Sequence, residues 1–181
     1  MPYNNYTDFD KKNPKLQLAL LNGISNPPTP SFFVYFNNNG VVLECLKLKF
    51  FGAHKVISAY TIPFDRVITM NVVAEDDIDE IEQKYRQQFD IKSNIFNKAH
   101  ETIKTLCRFK SPNSSIIDRI VVLSLAYYSA EGEINDVVFS ISNCGFDIAN
   151  DMAIYLRVKL GIEAPNKPKS YFMNDKGEYV L

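Results

Sequence analysis

Between Phe32 and Val73 apolar and polar residues alternate, broken only by short turns. The run reads as strands over 31–36, 41–51, 56–62 and 66–73, separated by Asn37-Asn38-Asn39-Gly40, Gly52-Ala53-His54-Lys55 and Pro63-Phe64-Asp65. Val, Ile, Phe and Tyr fill the strands and turn formers fill the breaks, which predicts a meander of four antiparallel strands. In the second strand Val42, Leu46, Leu48 and Phe50 share one face, while Leu43, Cys45, Lys47 and Lys49 share the other. Glu44 falls on the apolar face, and an exposed strand end accommodates it. In the fourth, Ile68, Met70 and Val72 alternate with Val67, Thr69 and Asn71, the pattern of a half-buried strand.

Either side of this run the pattern is more mixed. Leu16 to Ile24 reads as an opening strand, with a helical turn as the alternative, and Asn26-Pro27-Pro28-Thr29-Pro30 forbids regular structure after it. At Ala74 the period changes. The acidic stretch 75–82 suits a first helical turn, and Ile78, Ile81, Tyr85 and Phe89 recur at helical spacing. A second helix is predicted from Ser93 as N-cap, with Ile95, Phe96, Ala99, Ile103 and Leu106 as its stripe, stopping before Ser111-Pro112-Asn113. Strand pattern returns over 115–129, turns at Ala130-Glu131-Gly132-Glu133, and pairs back over 134–142. A last helix from Phe146 to Leu160 shows Ala149, Met152, Ala153 and Leu156 on one broad face and stops at Gly161.

Several local patterns resemble a bacterial pleckstrin-homology-like (PH-like) domain. Tyr35 to Leu43 is similar to that family's strand, polar turn and hydrophobic strand. Val56 to Val67 resembles its strand ending in Ile-Pro with a hydrophobic residue opening the next. Phe139 to Ser142 and the helix from Phe146 resemble its last strand and closing helix. The resemblance spans about residues 16–73 and 115–160 and implies an α+β fold: a bent antiparallel sheet or partly open barrel closed by the C-terminal helix. The two helices at 74–112 depart from it as an insertion, and 161–181 is a tail. Length favours a single domain over residues 1–181. Such folds host unrelated binding roles, so the resemblance supplies no function.

Composition narrows the chemistry. A net charge of −1 argues against bulk nucleic-acid binding, which needs a surplus of Lys and Arg. Cys45, Cys107 and Cys144 are far apart, with no Cys-x-x-Cys, and with only His54 and His100 no zinc spacing exists. Reduced thiols in a cytoplasmic protein are expected, with neither cofactor nor metal. The N-terminus lacks a signal-peptide hydrophobic region, and no apolar run approaches the ~20 residues of a membrane span. His54 sits in a turn and His100 on the second helix beside Glu101, both read as solvated. The acidic run 75–82 lacks the glycine of a calcium loop and reads as a solvated helix start.

Two surfaces stand out. Lys47 and Lys49 share a strand face, Lys55 follows in the adjoining turn and Arg66 opens a later strand, a candidate strip for phosphate or lipid head groups. Phe33, Tyr35 and Phe51 belong to an aromatic crowd that a sheet covered on one face leaves exposed, a candidate interface. The expected function is a non-enzymatic protein-interaction or self-assembly module, a homo-oligomer in the simplest case. The alternative is peripheral membrane contact through anionic lipid or another phosphate ligand; an enzyme with a site assembled from scattered residues ranks third.

Overall fold

The computed structural model describes residues 12–92, 94–109, 120–141 and 146–162. Seven strands, β1 (Leu16–Asn22), β2 (Ser31–Phe36), β3 (Gly40–Leu48), β4 (His54–Pro63), β5 (Val67–Ala74), β6 (Val121–Tyr128) and β7 (Ile134–Ser140), form one antiparallel sheet. Their order is β4-β3-β2-β1-β7-β6-β5, so the sheet is open, with β4 and β5 at its two edges. Helices α1 (Ile78–Gln88), α2 (Asn97–Arg108) and α3 (Phe146–Lys159) complete an α+β fold.

The four-stranded meander expected over residues 32–73 is a three-stranded one. β2, β3 and β4 pair in sequence, but β5 crosses to the far edge and pairs with β6. Pro63 brings no amide donor, and a 3-10 turn over Phe64–Arg66 redirects the chain. The opening strand takes the vacated role: β1 pairs with β2 on one side and β7 on the other. Alternation in a sequence reports which face a side chain takes, not which strand lies alongside. β3 also ends earlier than expected, at Leu48, because Phe50–Gly52 form a second 3-10 turn.

The strand faces explain the core. Val41, Leu43 and Cys45 point into the main core, the opposite face from that marked by Val42 and Leu46. Glu44 lies mid-strand rather than at an exposed end. The helix α3 lays Ala149, Met152, Ala153, Tyr155 and Leu156 on this core beside Phe32, Leu123 and Phe139. The face expected from its sequence period is the face it buries.

Among the described residues the other face is covered mainly over β5–β7. There α1 and α2 contribute Tyr85, Ala99 and Ile103, with Ile95 and Phe96 just before α2, against Val73, Val122 and Val138. The half-buried pattern of β5 is thus buried on both sides, and Thr69 and Asn71 lie inside. Buried polar groups need partners. Asn71 Oδ1 accepts from Arg157 Nη1 of α3 at 2.6 Å and from the Tyr85 hydroxyl of α1 at 3.3 Å, while its Nδ2 donates to Thr69 Oγ1 at 3.0 Å. One side chain therefore ties β5 to both helical layers.

The N-terminus of α2 is held from the sheet. Asp136 of β7 accepts from Lys98 N at 3.1 Å and Ala99 N at 2.8 Å. Burial pushes the Asp136 carboxyl upward in pKa, and these two amide bonds oppose that shift by favouring the carboxylate. The expected N-cap Ser93, the strand start at 115–119, the end at 142–145 and the tail beyond 162 lie outside the described residues. Among the described residues, no helix is long and apolar enough to cross a membrane.

Replacing Asn71 by Ala leaves a buried guanidinium and a phenol without their acceptor, and is expected to destabilise by about 2–4 kcal/mol in urea unfolding. Asn71→Asp, which returns an acceptor and a countercharge to Arg157, is expected to cost less.

Candidate functional site

The hairpin of β3 and β4 runs past the rest of the sheet. β2 pairs with β3 only from Phe36↔Val41 to Phe32↔Cys45. Beyond Cys45 a register shift marks a bulge, and Leu46↔Val56, Lys47↔Lys55 and Leu48↔His54 continue as a two-stranded ribbon. Lys49 N donates to Ala53 O at 2.7 Å and closes the tip. Within the tip Phe51 has φ of 65° and Gly52 φ of 74°. The left-handed region suits glycine, but a bulky L-residue there carries a cost of roughly 1–2 kcal/mol. Phe51 bears this strain while fully exposed; Phe50 is 93% exposed and Leu48 69%.

The lysines share this tip. Lys47 and Lys55 are direct cross-strand partners, so their ammonium groups project from the same face. Like charges opposite one another in a sheet repel, which makes the pair unfavourable without an anion between them. Lys49 adds a third charge. From Cys45 to Phe64 the chain holds no Asp or Glu to offset them. Lys47, Leu48, Lys49, Phe50, Ala53, Lys55 and Ile57 line an open concavity of about 830 Å³. Its walls are greasy and its rim is cationic.

The candidate residues read from the sequence divide between places. Lys47, Lys49, Lys55 and Phe51 come together at the hairpin tip. Arg66 follows the opposite end of β4, eight strand residues and about 25 Å away at the rise of a strand. Phe33 and Tyr35 are half-buried on the outer sheet face, with the Phe33 ring 6.0 Å from the His54 ring. Tyr35 donates its hydroxyl to Glu44 Oε1 at 2.5 Å, and Lys15 Nζ sits 4.3 Å from the Tyr35 ring centroid and 3.9 Å from Glu44 Oε2. The bond to Glu44, with burial and the nearby carboxylate adding to it, pushes the Tyr35 pKa up to about 12. These partners, not a strand end, accommodate Glu44.

Cys45 is buried, and Cys107 is half-buried with its thiol donating to Glu75 Oε2 at 3.1 Å; Cys144 lies outside the described residues. His100 is not the solvated residue expected. Its Nε2 lies 2.9 Å from Glu82 Oε2 and 3.7 Å from Asp79 Oδ1, drawing two members of the acidic run into a cluster. The i, i+3 spacing of Asp79 and Glu82 puts them on one helix face, a signal present in the sequence. That His100 meets them depends on how α1 packs with α2, which no local pattern encodes.

No protein-family model matches the sequence, and no curated protein is significantly similar to it. The site's own chemistry carries the functional argument.

Because Phe51 has no packing to lose, Phe51→Asn is expected to raise stability by about 0.5–1 kcal/mol in urea unfolding, since Asn tolerates the left-handed region.

Proposed function

We propose that this chain is a non-enzymatic binding module of PH-like architecture that docks its β3–β4 hairpin on an anionic lipid surface. The observation that carries the reading is the Lys47↔Lys55 pair, facing across the ribbon beside fully exposed Phe51. A fully exposed aromatic ring and two opposed ammonium groups are each unfavourable in water. Both become favourable at a membrane, where the rings enter the headgroup–acyl boundary and phosphate sits between the lysines. Near an anionic leaflet each lysine contributes about 1 kcal/mol, so three give weak, reversible attachment that salt weakens.

The PH-like part of the reading is supported by the single open antiparallel sheet and by the C-terminal position of α3 on its core face. The pair α1 and α2 departs from that pattern as an insertion between β5 and β6.

A second reading, self-assembly, rests on the β4 edge. Ten residues of β4 run along an edge with Val56, Ile57 and Tyr60 exposed, whereas α3 packs along the opposite edge strand β5. An exposed apolar edge is a template for a second strand. Lys55 and Pro63 near its ends restrict that pairing without preventing it.

Co-sedimentation separates these readings. The wild type is expected to pellet with phosphatidylserine-containing vesicles at low salt and to stay in solution with pure phosphatidylcholine. High salt and the triple change Lys47→Ser, Lys49→Ser and Lys55→Ser are each expected to abolish pelleting. Failure of the folded wild type to bind anionic vesicles overturns the lipid reading. A dimer in light scattering that Tyr60→Lys dissolves, in the absence of lipid binding, establishes the second.

A further inference from the structure

We propose that Asp79, Glu82 and His100 form a binding site for a divalent transition-metal ion where α1 meets α2. The proposal does not depend on the hairpin. Each residue offers one ligand atom, and the three atoms lie within 4.8 Å of one another. Asp79 and Glu82 stand one turn apart on α1; His100 comes from the first turn of α2, whose start is pinned by Asp136.

The polar bookkeeping of the cluster points to a cation. Glu82 is only 7% exposed, and its Oε1 is buried with no hydrogen-bond partner. A carboxylate oxygen stranded in this way is costly unless something positive satisfies it. His100 Nε2 faces Glu82 Oε2 at 2.9 Å, yet makes no hydrogen bond of acceptable geometry with it. With the ring neutral and Nε2 unprotonated, the ring nitrogen and the carboxylate oxygen present two lone pairs to one cation. A metal at about 2.0–2.2 Å from tetrahedral ligands holds them about 3.3–3.6 Å apart. The 3.7 Å separation of Nε2 from Asp79 Oδ1 is close to that spacing, and the Glu82 contact opens by a few tenths of an ångström on binding.

The donor set also selects the ion. Two carboxylates neutralise a divalent charge and suit manganese as well as zinc, and the imidazole favours zinc over calcium. Three protein ligands leave positions for water, and an open concavity of about 400 Å³ along α1, lined in part by Asp79 and Glu82, admits it. Arg86, the cation lining that concavity, is already committed: its Nη2 donates to Lys92 O at 2.7 Å and its Nε to Ile91 O at 3.5 Å. A bound ion joins the two insertion helices through the Glu82 carboxylate and the His100 ring, whose hydrogen-bonding needs are otherwise unmet.

Calorimetric titration of the full chain with Zn²⁺ alone, and separately with Mn²⁺ alone, tests this. One ion per chain is expected, with a rise in melting temperature. His100→Ala and Asp79→Asn are each expected to weaken binding by at least about ten-fold, while His54→Ala and Cys107→Ser leave it unchanged. Asp79 is 93% exposed at its side chain, so its replacement tests the site even if His100→Ala disturbs folding. Absence of binding by the folded wild type for both ions overturns the proposal. Unaltered affinity in both His100→Ala and Asp79→Asn does so as well.

Discussion

A sheet presents two faces to water, and the described helices cover one face and about half of the other. α3 seals the core side, while among the described residues α1 and α2 shield the outer side of β5, β6 and β7 and reach the end of β1 at Asn22. Much of the molecule's character follows from that unequal cover. Where both faces are covered, polar residues such as Thr69, Asn71, Ser124 and Asp136 become buried. Where cover ends, half-exposed Phe33 and Tyr35 with Lys15 and Glu44 shield the outer face through amphipathic contacts. Where even the neighbouring strand ends, the β3–β4 ribbon projects with aromatic and cationic groups in water.

The covered half is stiffened by bonds between layers, not by apolar contact alone. Asn71 holds α3 and α1 to β5, and Asp136 holds α2 to β7. Asn22 of β1 adds a bond from its Nδ2 to Thr102 Oγ1 of α2 at 3.2 Å. The insertion is therefore part of the core rather than an appendage. The same junction brings His100 to Glu82 and Asp79, because Asp136 fixes the amides of Lys98 and Ala99 and so the ring on the next residue. Among the described residues the exposed half has no comparable ties at its tip, where a strained backbone and an unfavourable charge pair stand side by side.

Much of the fold was legible locally. The strands appear near their expected positions because Val, Ile and aromatic residues alternate between turn formers, and α3 buries the stripe its period marks. What local pattern does not carry is adjacency. β5 follows β4 in sequence with only a short turn between, yet the two lie at opposite edges. Pro63 was visible as a break, but the destination of the chain beyond it depends on long-range pairing with β6. The inward face of β3 is not evident from the alternation, because Val42 and Leu46 on the other face are also buried. The lysine strip was legible as a run of charges, whereas the opposition of Lys47 to Lys55 required the register set by the bulge. The carboxylate–imidazole cluster was least legible, since its members come from separate helices.

Entry of the hairpin tip into an anionic membrane surface, as proposed above, is open to tryptophan fluorescence. The chain contains no tryptophan, so Phe51→Trp introduces a single reporter at the tip. Its emission is expected to shift to the blue, with protection from an aqueous quencher, on addition of phosphatidylserine-containing vesicles and not of phosphatidylcholine alone. Emission that stays at its water-exposed wavelength in both overturns membrane entry.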